Sequence, residues 1–324
     1  MTVMTYQEAA RQAVRHEMRR DPLVWALGED LGRGGVFGQY RGLQEEFGPA
    51  RIVDTPISEA AIMGAAVGAA LVGTRPIVEM RFADFALCAM DELINQAAKN
   101  RYMFGGQGRV PLVVRQPTGL WRNSAAQHSQ SLEAWYVHVP GLVVIAPATP
   151  ADNRGLLAAA IRSDDPVVYF EHKNLWQLEG EVPDGDHLTP IGRAEIRRPG
   201  RDITIVTWSA LVHEALTAAG QAAIDGIEAE IIDLRSLWPW DREMVLASAA
   251  RTGRLLVAHE AVLASGFGAE VAAVAAEELF GRLKAPVRRL GAPRMPVPYA
   301  AVLEAEYRVD ASDILAAVRS LCAE

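Results

Sequence analysis

Short hydrophobic runs alternate with longer amphipathic stretches along the first half of the chain. The runs predict strands at residues 23–28, 52–53, 76–80, 112–115, 142–146 and 167–170. The stretches between them predict helices at residues 6–20, 59–72, 84–103 and 150–162. Thr149, Pro150 and Asp152 form a typical helix start, with a capping hydroxyl, a first-turn proline and an acid three residues on. Strands separated by helices are typical of a mainly parallel, doubly wound sheet.

The alternation stops at residues 171–201, which are rich in proline and glycine, and then begins again. Further strands are predicted at residues 203–207, 229–232, 255–258 and 287–290, and helices at residues 212–220, 242–250, 268–280 and 310–322. We therefore expect an α/β domain over residues 1–185, a linker with some extended structure over 186–200, and a second, smaller α/β domain over 201–324.

Composition narrows the function classes. The 324 residues include 40 acidic and 32 basic side chains, a net charge of −8. The densest basic segment, residues 193–201, is short and interrupted, so we expect no nucleic-acid partner. Cys88 and Cys322 are far apart without a CxxC motif, which excludes a disulfide scaffold or a thiolate zinc site and fits a reducing compartment.

The N-terminal segment carries charges throughout and lacks the apolar core of a secretory signal. The most apolar run, residues 60–73, is shorter than the roughly 20 residues that span a bilayer, so it predicts a buried helix of a soluble protein. We expect a cytoplasmic protein that does not insert into a membrane.

Glu59 stands at the start of this small-residue helix, and two interpretations are open. A glutamate at a helix N-terminus interacts favourably with the helix dipole and needs no other role. Alternatively, the many Ala and Gly residues after it permit close approach of another chain. A carboxyl group at the mouth of such an interface would be partly desolvated and suited to acid–base chemistry.

Two further features carry possible chemistry. His128 lies in a loop of small and polar residues. Histidine is the side chain suited to proton transfer near neutral pH, although a single loop histidine is commonly only solvated or hydrogen-bonded. The helix end and turn at residues 158–166 offer carbonyl and side-chain oxygens that could hold a hard cation. A water-capped helix end with turn-forming aspartates is the alternative.

Long segments of the chain resemble the β subunits of thiamine-diphosphate-dependent 2-oxoacid dehydrogenases. The resemblance covers nearly the whole chain, and its segments include ALGEDLGRGGVFGQYRGLQEEFGPARIVDTPISEAAIMGAAVGAAL, DELINQAAKNRYMFGGQ, AQHSQSLEAWYVHVPGLVVIAPATPADNRGLLAAAIRSDDPVVYFEHK and AEIIDLRSLWPWD. The family includes pyruvate, branched-chain 2-oxoacid and acetoin enzymes, and we favour the acetoin and pyruvate branches. The resemblance implies a transketolase-like fold, with a pyrimidine-binding domain followed by a transketolase C-terminal-like domain.

The resemblance also implies roles for individual residues. Glu59 would hydrogen-bond the cofactor pyrimidine ring and so activate the cofactor. Phe85 would stack on that ring, with Ile57 and Arg81 as neighbouring cofactor contacts. His128 would reach the substrate side and assist proton transfer or acyl transfer. A structural potassium site would use carbonyls of Leu112, Ala160 and Ile161 and oxygens of Ser163 and Asp165.

Two positions depart from the family pattern. Arg81 stands where relatives often carry Gln or Met, so it either changes the charge beside the cofactor or faces an acid of a partner subunit. Ser163 replaces a common Asp, which weakens the potassium site only if the ligand is a side chain.

The magnesium-binding GDG motif of this superfamily is missing, and the near match Asp184–Asp186 lies in the proline-rich segment. The resemblance therefore implies that an α subunit holds magnesium and the diphosphate, in a two-α, two-β assembly. The substrate of the assembly would be a small 2-oxoacid or acetoin, and the acyl acceptor would be a lipoyl group of an acyltransferase core. The alternatives are a stand-alone acyloin-forming or transketolase-like enzyme, and a non-catalytic scaffold that docks the acyltransferase core.

Overall fold

A computed structural model describes residues 1–323, whose contacts divide them into two compact units. Unit 1 comprises Met1–Thr118 and Trp135–Ile191, and unit 2 comprises Gly119–Ala134 and the chain from Gly192 onward. The expected boundaries, in contrast, assign residues 119–134 to the first domain and residues 186–200 to a linker. Among the described residues, no helix combines the length and apolar character needed to cross a membrane.

Unit 1 is built on a parallel sheet with the strand order β6–β7–β5–β4–β2–β3. An antiparallel pair, β1 with β8, lies outside that sheet. The strands are β1 (Thr2–Thr5), β2 (Val24–Gly28), β3 (Ile52–Asp54), β4 (Arg75–Glu79), β5 (Val113–Thr118), β6 (Val143–Ile145), β7 (Val167–His172) and β8 (Glu179–Val182). From β2 the chain moves to β3 on one side and then to β4 on the other, so the direction of winding reverses between β2 and β4.

Helices cover this sheet. They are α1 (Tyr6–Arg20), α2 (Leu43–Phe47), α3 (Glu59–Leu71), α4 (Ala98–Met103), α5 (Glu133–Val137), of which the last part belongs to unit 1, and α6 (Pro150–Arg162). Helices α1 and α6 pack together over a core that includes Val14, Ile77, Leu157 and Tyr169. The start of α6 is as predicted, since Thr149 Oγ1 accepts a hydrogen bond from the Asp152 amide.

The long helix predicted at residues 84–103 is irregular in the structure. It consists of a 3₁₀ segment (Phe85–Ala89), a π-helical segment (Asp91–Ala97) and then α4. The first two segments pack against α3. Such departures from α-helical geometry are frequent near functional sites, and amphipathic periodicity does not reveal them.

Unit 2 has its own sheet with the order β14–β13–β10–β11–β9. All its pairings are parallel except that of β9 with β11. The elements are β9 (Glu195–Arg198), β10 (Ile203–Thr207), α7 (Leu211–Ile224), β11 (Ala229–Asp233), β12 (Ser236–Trp238), α8 (Arg242–Thr252), β13 (Leu255–Val262), α9 (Gly268–Glu278), β14 (Arg288–Ala292), α10 (Ala301–Tyr307) and α11 (Ala311–Ala323). Residues 195–198 of the expected linker therefore form an ordered edge strand.

A charged network lies inside unit 1. The Arg115 guanidinium on β5 donates from Nε to Glu171 Oε2 on β7 at 2.9 Å. Its Nη1 lies 3.2 Å from Glu79 Oε2 on β4. Asn153 of α6 donates to the second oxygen of Glu171 at 3.0 Å. Arg115 has no exposed surface and Glu171 only 2%, so the network joins three strands and a helix away from water.

Glu79 and Glu171 share the single guanidinium of Arg115. Because the group is buried, a negative charge on both carboxyl groups at once is energetically unfavourable. Burial is the largest cause that raises the pKa of Glu79 to about 7, and the charge of Glu171 adds to it, against the attraction of Arg115. Glu79 is therefore protonated in a substantial fraction of folded molecules near neutral pH.

Glu79 gives the protein a pH-dependent stability. Its contribution is fully present below the ordinary pKa of 4.5 and is lost as the pH rises through about 7, because the folded state holds the proton more tightly. Relative to Glu79→Gln, the free energy of unfolding of the wild-type chain should fall by about 3 kcal/mol between pH 5 and pH 8. Urea unfolding across this range measures the difference, and parallel pH profiles for the two proteins would contradict the assignment.

Candidate functional site

The carboxyl ends of β2 and β4 meet at the point where the winding direction reverses. Loops at such a point diverge and leave a crevice in which ligands of open α/β sheets bind. Glu29 and Asp30 follow β2, and Arg81 follows β4. Arg81 Nη1 lies 3.3 Å from Glu29 Oε2 and 3.4 Å from Asp30 Oδ2. Arg81 therefore pairs with acids of this chain rather than depending on an acid of a partner subunit.

Glu59 is the first residue of α3, which follows β3 at the same edge of the sheet. Its side chain is half-buried, and it forms no hydrogen bond or ion pair with any residue in the range 1–323. The positive end of the α3 dipole lies at this position. Ile57, two residues earlier, is 74% exposed. A carboxyl group and an apolar side chain are thus both available to a ligand here.

Phe85 begins the 3₁₀ segment after β4 and packs edge-on against Phe82, with ring centroids 5.4 Å apart. Phe82 in turn contacts Phe37 at 5.8 Å, and the Lys173 ammonium lies 4.7 Å from its ring centre. The Phe85 ring remains only half-buried. Ile57, Glu59, Arg81 and Phe85 are thus brought to one edge of the unit 1 sheet, on loops that follow β3 and β4.

Helix α3 is buried on one side only, whereas the sequence predicted a buried helix. Ile62, Met63, Ala66 and Val67 face the interior. The outer side is exposed and small: a Cβ at Gly68 would meet no atom within 4 Å, and one at Gly64 would meet only Glu92 Cγ, at 3.6 Å. A smooth apolar strip therefore runs along the helix from Glu59.

His128 belongs to unit 2, in the loop of residues 119–131. Its amide donates to Ala125 O at 3.4 Å, and its side chain is half-buried. Arg122, Asn123 and Ala125 of this loop have φ between 48° and 61°, a conformation that L-residues adopt at some cost. None of the three positions is a glycine, so the local sequence did not predict the positive φ angles.

The oxygens of the predicted potassium site lie at the C-terminal end of α6 and the adjacent turn. Arg75 Nη1 donates to Ile161 O at 3.2 Å and to Ser163 O at 2.8 Å. The carbonyl oxygens of Ala160 and Leu112 accept from the Ser163 and Val167 amides, and Asp165 pairs with Arg101.

Ser163 presents a backbone oxygen to Arg75, while its hydroxyl bonds the backbone of Asp165. The replacement of a common Asp therefore leaves that oxygen in place. A carbonyl oxygen has two lone pairs. The Ile161 and Ser163 oxygens each accept one bond from Arg75, so each has a second lone pair that could contact an ion. Arg75 already engages the oxygens of Ile161 and Ser163, and Arg101 that of Asp165, so a monovalent cation would have to share these oxygens with two guanidinium groups.

Sequence reasoning missed Glu29 and Asp30, which pair with Arg81. They are the first residues after a buried strand, and the rule that ligands bind at the carboxyl ends of parallel strands could have identified them. It also missed Glu260, described below, whose contacts come from a distant part of the chain.

Comparisons with known proteins agree with the two-domain α/β fold. Residues 2–178 match the pyrimidine binding domain of transketolase, and residues 192–314 match the transketolase C-terminal domain. A solved structure entitled "Split gene transketolase, inactive beta4 tetramer" superposes with a TM-score of 0.81 at 26% identity, covering 99% of this chain and 98% of the other.

Similar sequences extend over almost the full length. The 2-oxoisovalerate dehydrogenase subunit beta of Bacillus subtilis is 45% identical, with 99% of each chain covered. The acetoin:2,6-dichlorophenolindophenol oxidoreductase subunit beta of Cupriavidus necator is 47% identical, covering 96% of this chain and 95% of the relative. The pyruvate dehydrogenase E1 component subunit beta of Rickettsia conorii is 42% identical, with 98% of each covered.

A pyrimidine-binding α/β domain followed by a transketolase C-terminal domain defines a transketolase-like protein. Within that class, the chain belongs to the family of β subunits of thiamine-diphosphate-dependent 2-oxoacid dehydrogenases, together with the pyruvate and acetoin enzymes. The resemblance and the fold class expected from the sequence are both confirmed.

Proposed function

We propose that this chain supplies the pyrimidine side of a thiamine diphosphate site that an α subunit completes. With that partner it acts on a small 2-oxoacid or acetoin and passes the acyl group to a lipoyl group. The observation that carries the proposal is the Glu59 carboxyl group, half-buried and without a partner among residues 1–323, at the carboxyl edge of the sheet.

The residues present fit the cofactor. When bound, thiamine diphosphate would supply two things: a carbanion as nucleophile for the substrate carbonyl, and a positively charged ring as acceptor for the electron pair of the carbon–carbon bond that breaks. Glu59 would hydrogen-bond a ring nitrogen of the pyrimidine, and the half-open Phe85 ring would orient that ring by stacking. Ile57 offers an apolar contact. Arg81, already paired with Glu29 and Asp30, would add little net charge.

Magnesium and the diphosphate would be held by the α subunit. The acids of the near match to the GDG motif are engaged elsewhere: Asp184 accepts from the N-terminal ammonium at 2.5 Å and from Thr2 Oγ1 at 2.7 Å. Asp186 pairs with Arg162 at 2.5 Å. These carboxylates are exposed surface groups, which supports a magnesium site on another chain.

His128 is the group that we propose moves a proton on the substrate side during acyl transfer, because an imidazole changes charge near neutral pH. Glu59, Phe85 and His128 are all present, which argues against a non-catalytic scaffold. A transketolase-like enzyme without a lipoyl acceptor is a second candidate, supported by the 26% identical split-gene transketolase. Addition of isolated lipoyl domain separates them, because only the first candidate transfers an acyl group to it.

We also propose a cytoplasmic location. Cys88 and Cys322 are both free thiols, which suits a reducing compartment. Some relatives are named as mitochondrial proteins.

Replacement of Glu59 by Gln tests the central role. Removal of a positioned acid–base group should lower the decarboxylation rate at least ~100-fold, while cofactor binding and assembly with the α subunit persist. Glu92→Gln, the same change on the neighbouring π-helical segment, is the matched control and should remain active. A Glu59→Gln complex with wild-type turnover would refute the assignment.

The smooth outer side of α3 predicts where another subunit packs. Gly68→Trp should prevent or weaken assembly of the two-α, two-β complex, because the indole would stand between helices meant to approach closely. Gly220→Trp is a control on α7, where a Cβ likewise meets no atom within 4 Å. Size-exclusion chromatography with light scattering compares the two variants, and normal assembly of Gly68→Trp would exclude α3 from the interface.

Potassium binding at the α6 turn is tested by thermal unfolding in potassium chloride and in choline chloride at equal ionic strength. An ion bound only by the folded state stabilises it, by about 2.7 kcal/mol at 100 times its dissociation constant. The melting temperature should be higher in potassium, and Asp165→Ala should reduce the difference. Asp164→Ala, which loses contacts to Arg75 and Arg109 but no predicted ligand, should retain it. Equal melting temperatures in both salts would rule out the site.

A further inference from the structure

We infer that Glu260 is a positioning residue for His128, holding both ends of the loop that carries it. The inference rests on the proposed role of His128 and concerns unit 2 alone. Glu260 lies near the end of β13, and its Oε1 accepts a hydrogen bond from the Leu120 amide at 2.8 Å. The same oxygen accepts from Ser131 Oγ at 3.1 Å. One carboxylate therefore bridges positions eight residues before and three residues after His128.

A backbone hydrogen bond also spans the base of the loop. The backbone bond from the Gly119 amide to Gln130 O is long, at 3.4 Å. A cavity of about 510 Å³, rather than packed side chains, lies beside the loop and is lined by Gln127, Ser129 and Gln130 as well as by Glu260. Arg122, Asn123 and Ala125 have positive φ, and the cavity leaves the neighbouring residues Gln127, Ser129 and Gln130 open on one side. The charged acceptor therefore fixes a loop that is packed over only part of its surface.

The backbone next to Glu260 is held by a tightly packed neighbour. The preceding residue, His259, is fully buried, and its Nδ1 lies 3.0 Å from Ala261 O. A Cβ at Gly266, Gly268 or Gly291 would come within 2.6–2.8 Å of its ring, so three glycines enclose the imidazole. Burial lowers the pKa of His259 to about 4, so the ring is neutral at physiological pH.

Trp208 connects His259 to the C-terminal end of the loop. The Trp208 ring stacks on His259 with centroids 5.3 Å apart, and Trp208 Nε1 donates to Glu133 Oε1 at 3.0 Å. At the near end, Leu120 is buried in a cluster with Ala292, Val297 and Tyr307. Both flanks are fixed to unit 2, and Glu260 joins them.

The contacts predict a graded response to substitution. Glu260→Gln keeps an oxygen acceptor of the same reach, so it should retain most of the function. Glu260→Ala removes the acceptor, and Glu260→Asp shortens the side chain by one methylene. Both should therefore break the hydrogen bonds to Leu120 and Ser131 and make the loop more mobile. Ser131→Ala removes the hydroxyl donor and leaves the Leu120 amide, so it should give an intermediate effect. Glu270→Ala, an exposed acid on α9, is the matched control.

The experiment uses the reconstituted complex with its α subunit and measures two quantities. Hydrogen exchange of peptides covering residues 119–134 reports the loop, and the turnover number for acyl transfer to a lipoyl domain reports His128. Glu260→Ala should speed exchange at least ~10-fold and lower turnover ~10-fold, leaving KM for the oxoacid unchanged. In a His128→Ala background, Glu260→Ala should cause no further loss of turnover, because its effect passes through His128.

The outcomes separate this inference from the proposed function. If His128→Ala is fully active, the proposed role of His128 fails, while exchange in Glu260→Ala still decides whether the carboxylate holds the loop. Unchanged exchange in Glu260→Ala would overturn the inference. Additive losses in the double variant would also overturn it, because Glu260 would then act independently of His128. Failure of Glu260→Gln to restore slow exchange would show that a hydrogen-bond acceptor is not the cause.

Discussion

The Arg115 guanidinium, buried between Glu79 and Glu171, is the interaction on which the site-bearing half of this structure depends. It joins β4, β5 and β7 and, through Asn153, α6, just below the carboxyl edge of the unit 1 sheet. Loss of the cation would leave the Glu171 carboxylate and the Glu79 carboxyl group in the interior without their partner, which costs far more than loss of a surface pair. The loop after β4, which carries Arg81 and leads to Phe85, therefore begins from a strand whose end is held in place. Arg81 meets Glu29 and Asp30, which follow β2, across the crevice.

The candidate site has the character of one half of a larger site. Its carboxyl group, Glu59, has no partner among the described residues, and its aromatic ring, Phe85, is half-open. Beside them α3 presents an exposed face of small residues. An uncovered apolar strip is unfavourable in water, and a carboxyl group without a partner becomes unfavourable once it is buried. A bound partner with its cofactor would cover the strip and give the carboxyl group a hydrogen-bond partner.

The two units contribute different kinds of residue. Unit 1 carries the proposed cofactor contacts on loops that leave a rigid parallel sheet. His128 lies on a segment that is surrounded in sequence by unit 1 but packs within unit 2, where Leu120 and Glu260 attach it. His128 is thus positioned by a different core from the one that holds the proposed cofactor contacts, and the two parts of the proposed chemistry depend on separate sets of interactions.

The sequence by itself determined the local elements and the family. Hydrophobic periodicity placed α1 at its observed bounds, and the Thr149 cap followed from side-chain chemistry within a few residues. The parallel architecture followed from the alternation of strands and helices along the chain. The resemblance identified the candidate residues, whose roles remain predictions. Only the tertiary structure decided which distant groups meet: β1 with β8, Arg75 with the end of α6, and Glu260 with both ends of the His128 loop. Periodicity reports which face of an element is buried, whereas these contacts depend on which elements become neighbours, and that is set by the packing of the whole chain.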